Sequence, residues 1–424
     1  MRRAGKAAVD WGSRGWGHGR GMRVLFTTWA WPGHYYPMVP MAWALRAAGH
    51  EVRMTSQPEL LPTMRASGLP VTAVGPDLDL VAAYRDGTRP VTEAGSTPPE
   101  VASQRFLAER ATVKPSRRSR LSLYGDVAAA MTGDLLALAR AWRPDLVVFD
   151  PLTWAGALVA TLIGVPAVRS LFGPDITCFT RITPEVTSWA DVVARHGLAL
   201  DDVDLLGVSS VDLCPPSLQV ADPALGIQRI RVRYVPYNGP SEVPTGLPAA
   251  DRARICLTWG TSTERRLGGE GFLPEEVLVG AAKLADGYGG ELVLAITGSQ
   301  RAKLPALPAH VRVVESVPLD ALLPTCQATI HQGGAGSMLT AARHGLPQIA
   351  VTQFVDQAAN GMCLVAAGAG HNLAAAGLTA ADLLAAGQEL IDNPAYRSAA
   401  RHIQREIEDQ PTPAAAVAAL EALV

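Results

Sequence analysis

Short apolar segments that alternate with helical segments constrain the fold of this chain more strongly than any other feature. One series begins after Met22, and a second begins near residue 255. Apolar strands of this length, separated by helices, predict parallel sheets that are covered by helices on both faces. The sequence therefore predicts an α/β protein with two doubly wound, Rossmann-like domains. The predicted strands are Arg23–Thr28, Glu51–Thr55, Pro144–Asp150 and Val165–Ser170 in the first series, and Ile255–Trp259, Glu291–Ile296, Val311–Glu315, Ala328–His331 and Gln348–Val351 in the second.

A stretch rich in proline and glycine separates the two series. Residues 234–248 contain four prolines and two glycines, which is typical of a linker. A length of 424 residues also favours two domains over one. We predict an N-terminal domain, a linker, a C-terminal domain and a final helix, over residues 22–235, 236–250, 251–408 and 409–424.

Three segments do not follow the alternating pattern. Residues 1–21 carry five basic side chains against one acidic one and lack the apolar core of a signal peptide. They are interpreted as a disordered tail or an upstream extension, and whether they belong to the native protein is left open. Residues 87–120 are predicted to form a mobile excursion, and residues 175–213 a less regular region that is helical in parts.

Composition excludes several classes of protein. With 37 basic and 39 acidic residues the net charge is -2, so no electrostatic argument favours nucleic acid as a partner. The five cysteines lack a C-x-x-C spacing and predict free, buried thiols in a reducing compartment, which favours a cytoplasmic location. No uninterrupted apolar stretch is long enough to span a bilayer.

The most informative motif lies at residues 331–360, which read HQGGAGSMLTAARHGLPQIAVTQFVDQAAN. A histidine and a glycine cluster lead into a helix that is predicted to begin at about Ser337. The free N–H groups of such a helix start bind anions. Asp356 and Gln357 follow one strand later and could hydrogen-bond to hydroxyl groups. Together these residues predict a site for a phosphorylated sugar.

Polar residues also follow other predicted strands, where doubly wound sheets bind their ligands. His34 lies in a loop predicted from Trp29 to Tyr36, ahead of a helix predicted over residues 37–48. Asp150 ends a later strand of the first domain, and Thr261 and Ser262 follow the first strand of the second. We expect these residues to border a cleft between the two domains.

Five short motifs lie at the ends of predicted strands and helices. They are Gly33-His34-x-x-Pro37, Arg46-Ala-Ala-Gly49-His50-Glu-Val52, His331-x-Gly-Gly-x-Gly336-Ser337, Gly345-Leu-Pro347 and Asp356-Gln357-x-x-Asn360. Together these motifs closely resemble those of inverting glycosyltransferases with the GT-B fold, in the family that glycosylates small molecules (family 1). The resemblance covers the chain from Met22 onward. It is nearest to the actinomycete enzymes that attach deoxysugars to antibiotics such as macrolides, whose segments are similar to those around Trp43, Gly173–Thr177 and Arg233–Ser241.

The resemblance implies two facing domains and transfer, with inversion, of a deoxysugar from a nucleoside diphosphate, expected to be dTDP, to a polyketide or other natural-product aglycone. No metal or cofactor is expected besides the nucleotide sugar as co-substrate. The residues expected to bind the donor are Thr261, Ser262, Val317, His331, Gly334, Gly336, Ser337, Asp356 and Gln357.

The acceptor side requires a general base. His34 is the candidate, because a neutral imidazole can take the proton of a hydroxyl group. The resemblance implies that Asp150 stabilises the cation that forms, although an Asp before Pro151 is also typical of a turn. Trp31, Tyr35 and Phe172 are expected to line an apolar acceptor pocket, although a place in the core is the more frequent fate of aromatic residues.

Alternatives to this function remain open. A nucleotide-sugar epimerase or a glycosyltransferase acting on a lipid acceptor would share the fold, and a non-catalytic partner subunit that binds nucleotide sugars belongs to another class. The expected partners are a nucleotide sugar and a hydrophobic aglycone, with no nucleic acid and no membrane span. Some enzymes of the resembled subgroup require a cytochrome-like helper protein, and the sequence does not decide whether this chain needs one. It also does not decide whether the chain forms a homodimer, which sugar and aglycone it uses, or whether the linkage is through oxygen or carbon.

Overall fold

The computed structural model describes residues 21–80, 82, 120–179, 187–220, 226–243, 252–266 and 273–424. The predicted tail and almost all of the predicted excursion at 87–120 lie outside the described residues. Across the described ranges, no helix combines the length and apolar character that crossing a membrane requires.

The first domain is built on a parallel sheet with the strand order β3-β2-β1-β4-β5-β6-β7. Its central strands β1 and β4 are almost completely buried and mostly apolar, because helices cover both faces of the sheet. The strands are β1 (Arg23–Thr27), β2 (Glu51–Ser56), β3 (Val71–Ala73), β4 (Leu146–Phe149), β5 (Ala167–Ser170), β6 (Ser209–Asp212) and β7 (Arg229–Arg231).

The second domain repeats this architecture with six parallel strands in the order β10-β9-β8-β11-β12-β13. Both sheets reverse their strand order beside the first strand of the domain, and ligands of such sheets bind at this reversal. The strands are β8 (Arg254–Thr258), β9 (Glu291–Ile296), β10 (Val311–Glu315), β11 (Ala328–His331), β12 (Gln348–Thr352) and β13 (Gly370–Ala374).

Helices connect the strands and end where the sequence provides a stop. Gly164, for example, adopts φ +69° and closes the helix before β5. The helices are α1 (Pro32–Tyr35), α2 (Val39–Ala47), α3 (Leu61–Arg65), α4 (Arg120–Trp142), α5 (Ala155–Ile163), α6 (Thr187–Arg195), α7 (Ser262–Arg266), α8 (Glu275–Gly287), α9 (Gly298–Arg301), α10 (Leu319–Leu322), α11 (Ala335–Arg343), α12 (Val355–Ala366), α13 (Ala380–Asp392), α14 (Pro394–Asp409) and α15 (Pro413–Glu421), with 3-10 turns at Tyr36–Met38, Pro58–Leu60, Ile176–Phe179, Leu200–Asp202, Pro216–Leu218 and Leu323–Thr325.

The predicted fold class is confirmed, and each predicted strand forms within about two residues of its expected bounds. The predicted loop from Trp29 to Tyr36 is wrong. Helical backbone begins at Pro32 and continues as α1, a 3-10 turn and α2, so that His34 lies in a helical turn. Each of these three helical segments has a proline in its first turn, a position where proline is favoured because its missing N–H has no partner there. The irregular region 175–213 also contains strand β6.

The chain crosses between the domains more than once. Helix α15 returns to the first domain, where Val417 and Leu420 join its core. In the opposite direction, Leu213 and Tyr234 pack in one cluster with Met338 of α11. The domains therefore meet through continuous apolar contacts. The prediction of free, buried thiols is confirmed for four cysteines, whereas Cys363 is only partly buried.

Candidate active site

A buried histidine–aspartate pair lies at the carboxyl edge of the first sheet. The Nδ1 atom of His34 is 2.7 Å from Oδ2 of Asp150, and both side chains are almost fully buried. Strands β1 and β4 are neighbours in register, with Thr27 opposite Phe149, so the segments that follow them leave the sheet side by side. This register explains how residues 116 positions apart meet.

The two oxygens of Asp150 have separate roles. Oδ1 accepts hydrogen bonds from the backbone N–H of Leu152 and from the Thr153 hydroxyl, at 2.9 and 3.4 Å. Oδ2 remains for His34. The turn expected from the sequence and the contact with His34 therefore coexist. Because the carboxylate accepts from Nδ1–H, the neutral imidazole carries its lone pair on Nε2.

Aromatic rings surround the His34 imidazole. The Phe172 ring centroid is 4.0 Å away, and Trp29 makes an edge contact at 5.2 Å. Trp31 stacks on Trp29 at 5.2 Å and is almost completely buried. Tyr35 lies in the core, where it donates to Met64 or pairs with the Ser67 hydroxyl, and burial raises its pKa to about 12. Of the three expected acceptor residues, only Phe172 borders His34 with part of its surface exposed.

A buried ion pair supports the loop that carries Phe172. Arg169, in β5, contacts both carboxylate oxygens of Asp175 at 3.1 and 2.8 Å. The loop between them brings Gly173 against the second domain, where a Cβ atom on Gly173 would lie 2.7 Å from Cβ of Ala335. Ala335 is the first residue of α11. The loop that places Phe172 beside His34 therefore also contacts the helix that follows the glycine turn.

In the second domain, His331 ends β11 and organises that glycine turn. Its Nδ1 accepts from the Gly333 N–H, and its Nε2–H donates to Oε1 of Gln348, each at 2.9 Å. Burial lowers the pKa of His331 to about 4. The side chain is therefore neutral. It has no exposed surface and holds the turn through its hydrogen bond with Gly333.

The helix after this turn begins at Ala335, two residues earlier than predicted. Its N-cap is Gly334, which has no side chain to bond the first-turn N–H groups. The Gly336 carbonyl accepts a hydrogen bond from the hydroxyl of Tyr234, which joins the turn to the segment between the domains. Gly334, Gly336 and Ser337 thus lie together at a helix start whose backbone N–H groups are available to an anion.

Asp356 and Gln357 differ in their surroundings. Asp356 forms a two-point ion pair with Arg266 at 2.8 and 2.9 Å, and about a third of its side chain is exposed. Gln357 is buried, accepts from the N–H groups of Gln353 and Phe354 and donates to the Thr263 hydroxyl. Its amide therefore caps α12. The sequence did not identify Arg266, since its partner lies 90 residues away.

The remaining predicted donor residues lie at two places. Thr261 and Ser262 lead into α7, and the Ser262 hydroxyl oxygen is 3.7 Å from the position of a Cβ atom on Gly33, beside His34. Val317 is buried after β10 in an apolar cluster. Within the described ranges, no three His, Cys, Asp or Glu side chains are grouped so as to hold a metal ion.

Comparison with protein families gives two consecutive matches. Residues 43–260 match the model described as "Erythromycin biosynthesis protein CIII-like, N-terminal domain". Residues 278–423 match the corresponding C-terminal domain.

Individual relatives agree with these matches over nearly the whole chain. The chain is 37% identical to the 10-deoxymethynolide desosaminyltransferase of Streptomyces venezuelae, over 95% of this chain and 97% of the relative. Its structure is similar to that of the glycosyltransferase VinC in complex with dTDP (TM-score 0.73, 31% identity, 95% and 99% of the two chains). It is also similar to the spinosyn rhamnosyltransferase SpnG complexed with spinosyn aglycone (TM-score 0.73, 30% identity, 94% and 100%).

Proposed function

The chain belongs to the erythromycin biosynthesis protein CIII-like family of GT-B glycosyltransferases, and we propose that it transfers a deoxysugar from a dTDP-sugar to a polyketide aglycone with inversion. The likeness to a desosaminyltransferase and to a structure holding dTDP supports this choice of donor and acceptor.

One observation carries the proposal. The His34–Asp150 pair and the start of α11 lie on opposite sides of one domain contact, the contact that Phe172 and Gly173 make. A base and an anion site that face each other are what displacement at an anomeric carbon requires. The sugar would lie between them, with its diphosphate towards Gly334 and the acceptor towards His34.

The proposed reaction is a single displacement. Nε2 of His34 removes the acceptor proton, and the acceptor oxygen forms a bond to the anomeric carbon on the face opposite the diphosphate. The bond from that carbon to the diphosphate oxygen breaks, and the electron pair leaves with the nucleotide. Asp150 stabilises the imidazolium, as a buried carboxylate does for a base histidine in other enzymes.

The donor residues have different tasks in this proposal. The backbone N–H groups at Gly334, Gly336 and Ser337 hold the diphosphate and stabilise the charge that develops on it. His331 acts indirectly, by shaping the turn. Asp356 receives hydrogen bonds from sugar hydroxyls.

A second group of residues contacts other parts of the substrates. Thr261 and Ser262 add donors from the side of His34, and Val317 contacts the pyrimidine base. Gln357 supports the site by capping α12, and Phe172 lines the acceptor side. The nucleotide sugar serves as co-substrate without a metal.

The proposal also includes the division into domains over residues 22–235 and 251–408, a cytoplasmic location, and domain closure over the substrates. A cytochrome-like helper protein and a homodimer are candidate partners.

Transfer assays test the proposal directly. Purified protein is incubated with macrolide or anthracycline aglycones and a panel of dTDP- and UDP-sugars, and products are detected by mass spectrometry. We expect a glycosylated product with inverted anomeric configuration from a dTDP-sugar, and a larger thermal shift with dTDP than with UDP, since ligand binding raises the melting temperature. No thermal shift with any nucleotide would contradict the donor site, and epimerised donor without transfer would favour the epimerase.

A further inference from the structure

Arg266 at the end of α7 lies between Asp356 of the second domain and Trp31 of the first. Its side chain is only 7% exposed, and its two terminal nitrogens contact the two oxygens of Asp356 at 2.8 and 2.9 Å. The guanidinium carbon lies 5.1 Å from the ring centroid of Phe354, the residue before α12. Arg266 is therefore held on the second domain by a charged fork and by an aromatic face.

The same guanidinium also faces the first domain. It lies 5.7 Å from the ring of Trp31, and the neighbouring Arg265 lies 4.8 Å from that ring. Arg265 in addition forms an ion pair with Glu59 of the first domain. Trp31 stacks on Trp29, which makes an edge contact with His34. A continuous path of contacts thus joins Asp356 to His34 through Arg266.

The Asp356 carboxylate is accessible beside its ion pair with Arg266. About a third of the side chain is exposed, so a ligand can reach it. The fork also restricts rotation of the carboxylate, which lowers the entropy cost of binding a hydroxyl group in one geometry.

We infer that Arg266 is a positioning residue for the donor sugar: it orients the Asp356 carboxylate towards the sugar hydroxyls, and its contact with Trp31 makes this orientation depend on the closed arrangement of the domains. This inference rests on the proposed function, because it assumes that Asp356 receives the sugar. In the proposed function the diphosphate binds at the α11 turn and the sugar binds at Asp356, the partner of Arg266. We therefore expect loss of Arg266 to weaken sugar binding far more than nucleotide binding.

Calorimetric titration with two probes, dTDP and dTDP-glucose, separates these effects. For Arg266→Gln we expect dTDP to bind within about twofold of the original protein, while the affinity for dTDP-glucose falls about tenfold, the usual effect of losing one charge-assisted hydrogen bond. Arg266→Lys keeps the charge without the fork and should lose about threefold by the same reasoning. Arg301→Gln removes an arginine of the second domain that is paired on the surface with Glu315, and it should change neither affinity.

A double-variant cycle separates the positioning role from a loss of folding in the single variants. Asp356→Asn should reduce dTDP-glucose affinity about as much as Arg266→Gln, and the double variant no further, because the residues act as one unit. The double variant also leaves no unpaired buried charge. In the transfer reaction, these variants should raise KM for the donor and leave KM for the acceptor unchanged.

Other outcomes would overturn the inference. Three results would remove the positioning role and leave the proposed function intact. The first is an equal loss of affinity for dTDP and dTDP-glucose in Arg266→Gln, and the second is additive losses of affinity in the double variant. The third is an unmodified protein that binds dTDP-glucose and dTDP with the same affinity. An original protein that binds neither probe would overturn the proposed function and this inference with it.

Discussion

The two halves of the candidate site are built by different means. In the first domain, His34 and Asp150 are side chains that meet because two neighbouring strands end at the same edge. In the second, the candidate binding groups are backbone N–H groups at a helix start, and the side chains of His331 and Gln357 form hydrogen bonds that hold the turn and the next helix. The first half should therefore respond to changes of functional group, and the second to changes of backbone shape.

Removing the imidazole tests the first half most strongly. For His34→Ala we expect transfer to fall by about 10²-fold to 10⁴-fold, the range for loss of a general base, with dTDP affinity unchanged. His402, an exposed histidine on α14, provides the control His402→Ala, which should keep full activity. Steady-state kinetics and titration with dTDP measure the two effects. Loss of dTDP binding together with transfer would mean that the halves are not separate.

Replacing Asp150 changes the tautomer and not the volume. Asp150→Asn presents an amide to Nδ1 and favours the imidazole form with its proton on Nε2, so transfer should fall about 10³-fold. The measured quantity is kcat, with near-UV circular dichroism to follow packing, since Oδ1 also forms the turn at Thr153. If kcat stays within tenfold of the original protein, Asp150 serves the turn only.

The neutral His331 makes the second half sensitive to acid. Its pKa is lowered to about 4 in the folded state, so the unfolded chain takes up this proton first as pH falls. The free energy of unfolding therefore falls by about 3 kcal/mol as the pH drops from about 6.5 to about 4. Above pH 6.5 His331 is neutral in both states, and its titration has no effect. Urea unfolding should show a shallower pH dependence for His331→Asn. The control His402→Asn should retain the original slope, and an unchanged slope in His331→Asn would contradict a buried neutral histidine.

Adding one methyl group tests the backbone shape of the glycine turn. Gly333 has φ +83°, and a Cβ atom there would lie 2.8 Å from the Thr352 methyl carbon and 3.0 Å from the Gln357 carbonyl oxygen. We expect Gly333→Ala to weaken dTDP binding about tenfold, because the turn must shift. Gly377→Ala imposes a similar backbone strain at φ +75° with nothing within 4 Å, and it controls for that strain. Equal dTDP affinity in both variants would show that the turn tolerates the shift.

The success of the strand predictions has a physical origin. Strands such as β9 and β12 are buried at every residue, so apolar residues fill most of their positions and mark them in the sequence. The missed strands β3 and β7 lie at the sheet edges with half-exposed side chains, and β6 and β13 contain polar residues. Their strand conformation comes from pairing with a neighbour, and pairing leaves little trace in a local pattern.

The site was predictable to a similar extent. Residues 331–337 were recognisable because a glycine turn before a helix is a local feature. The core position of Tyr35 was not, since an aromatic ring after a strand is compatible with a pocket and with a core. Gln357 was expected to bind the sugar, but its amide is occupied by the helix cap, and Arg266 had no signal of its own.

The sequence by itself determined the two alternating series, the positions of the strand ends and the glycine turn, because these depend on contacts within a few residues. Only the tertiary structure decided which strand ends are neighbours. The register of β1 with β4 joins His34 to Asp150, and the domain contact brings Gly173 against Ala335 and Arg266 against Trp31. These partners are separated by 116 to 235 residues, and packing between sheets and domains selects them.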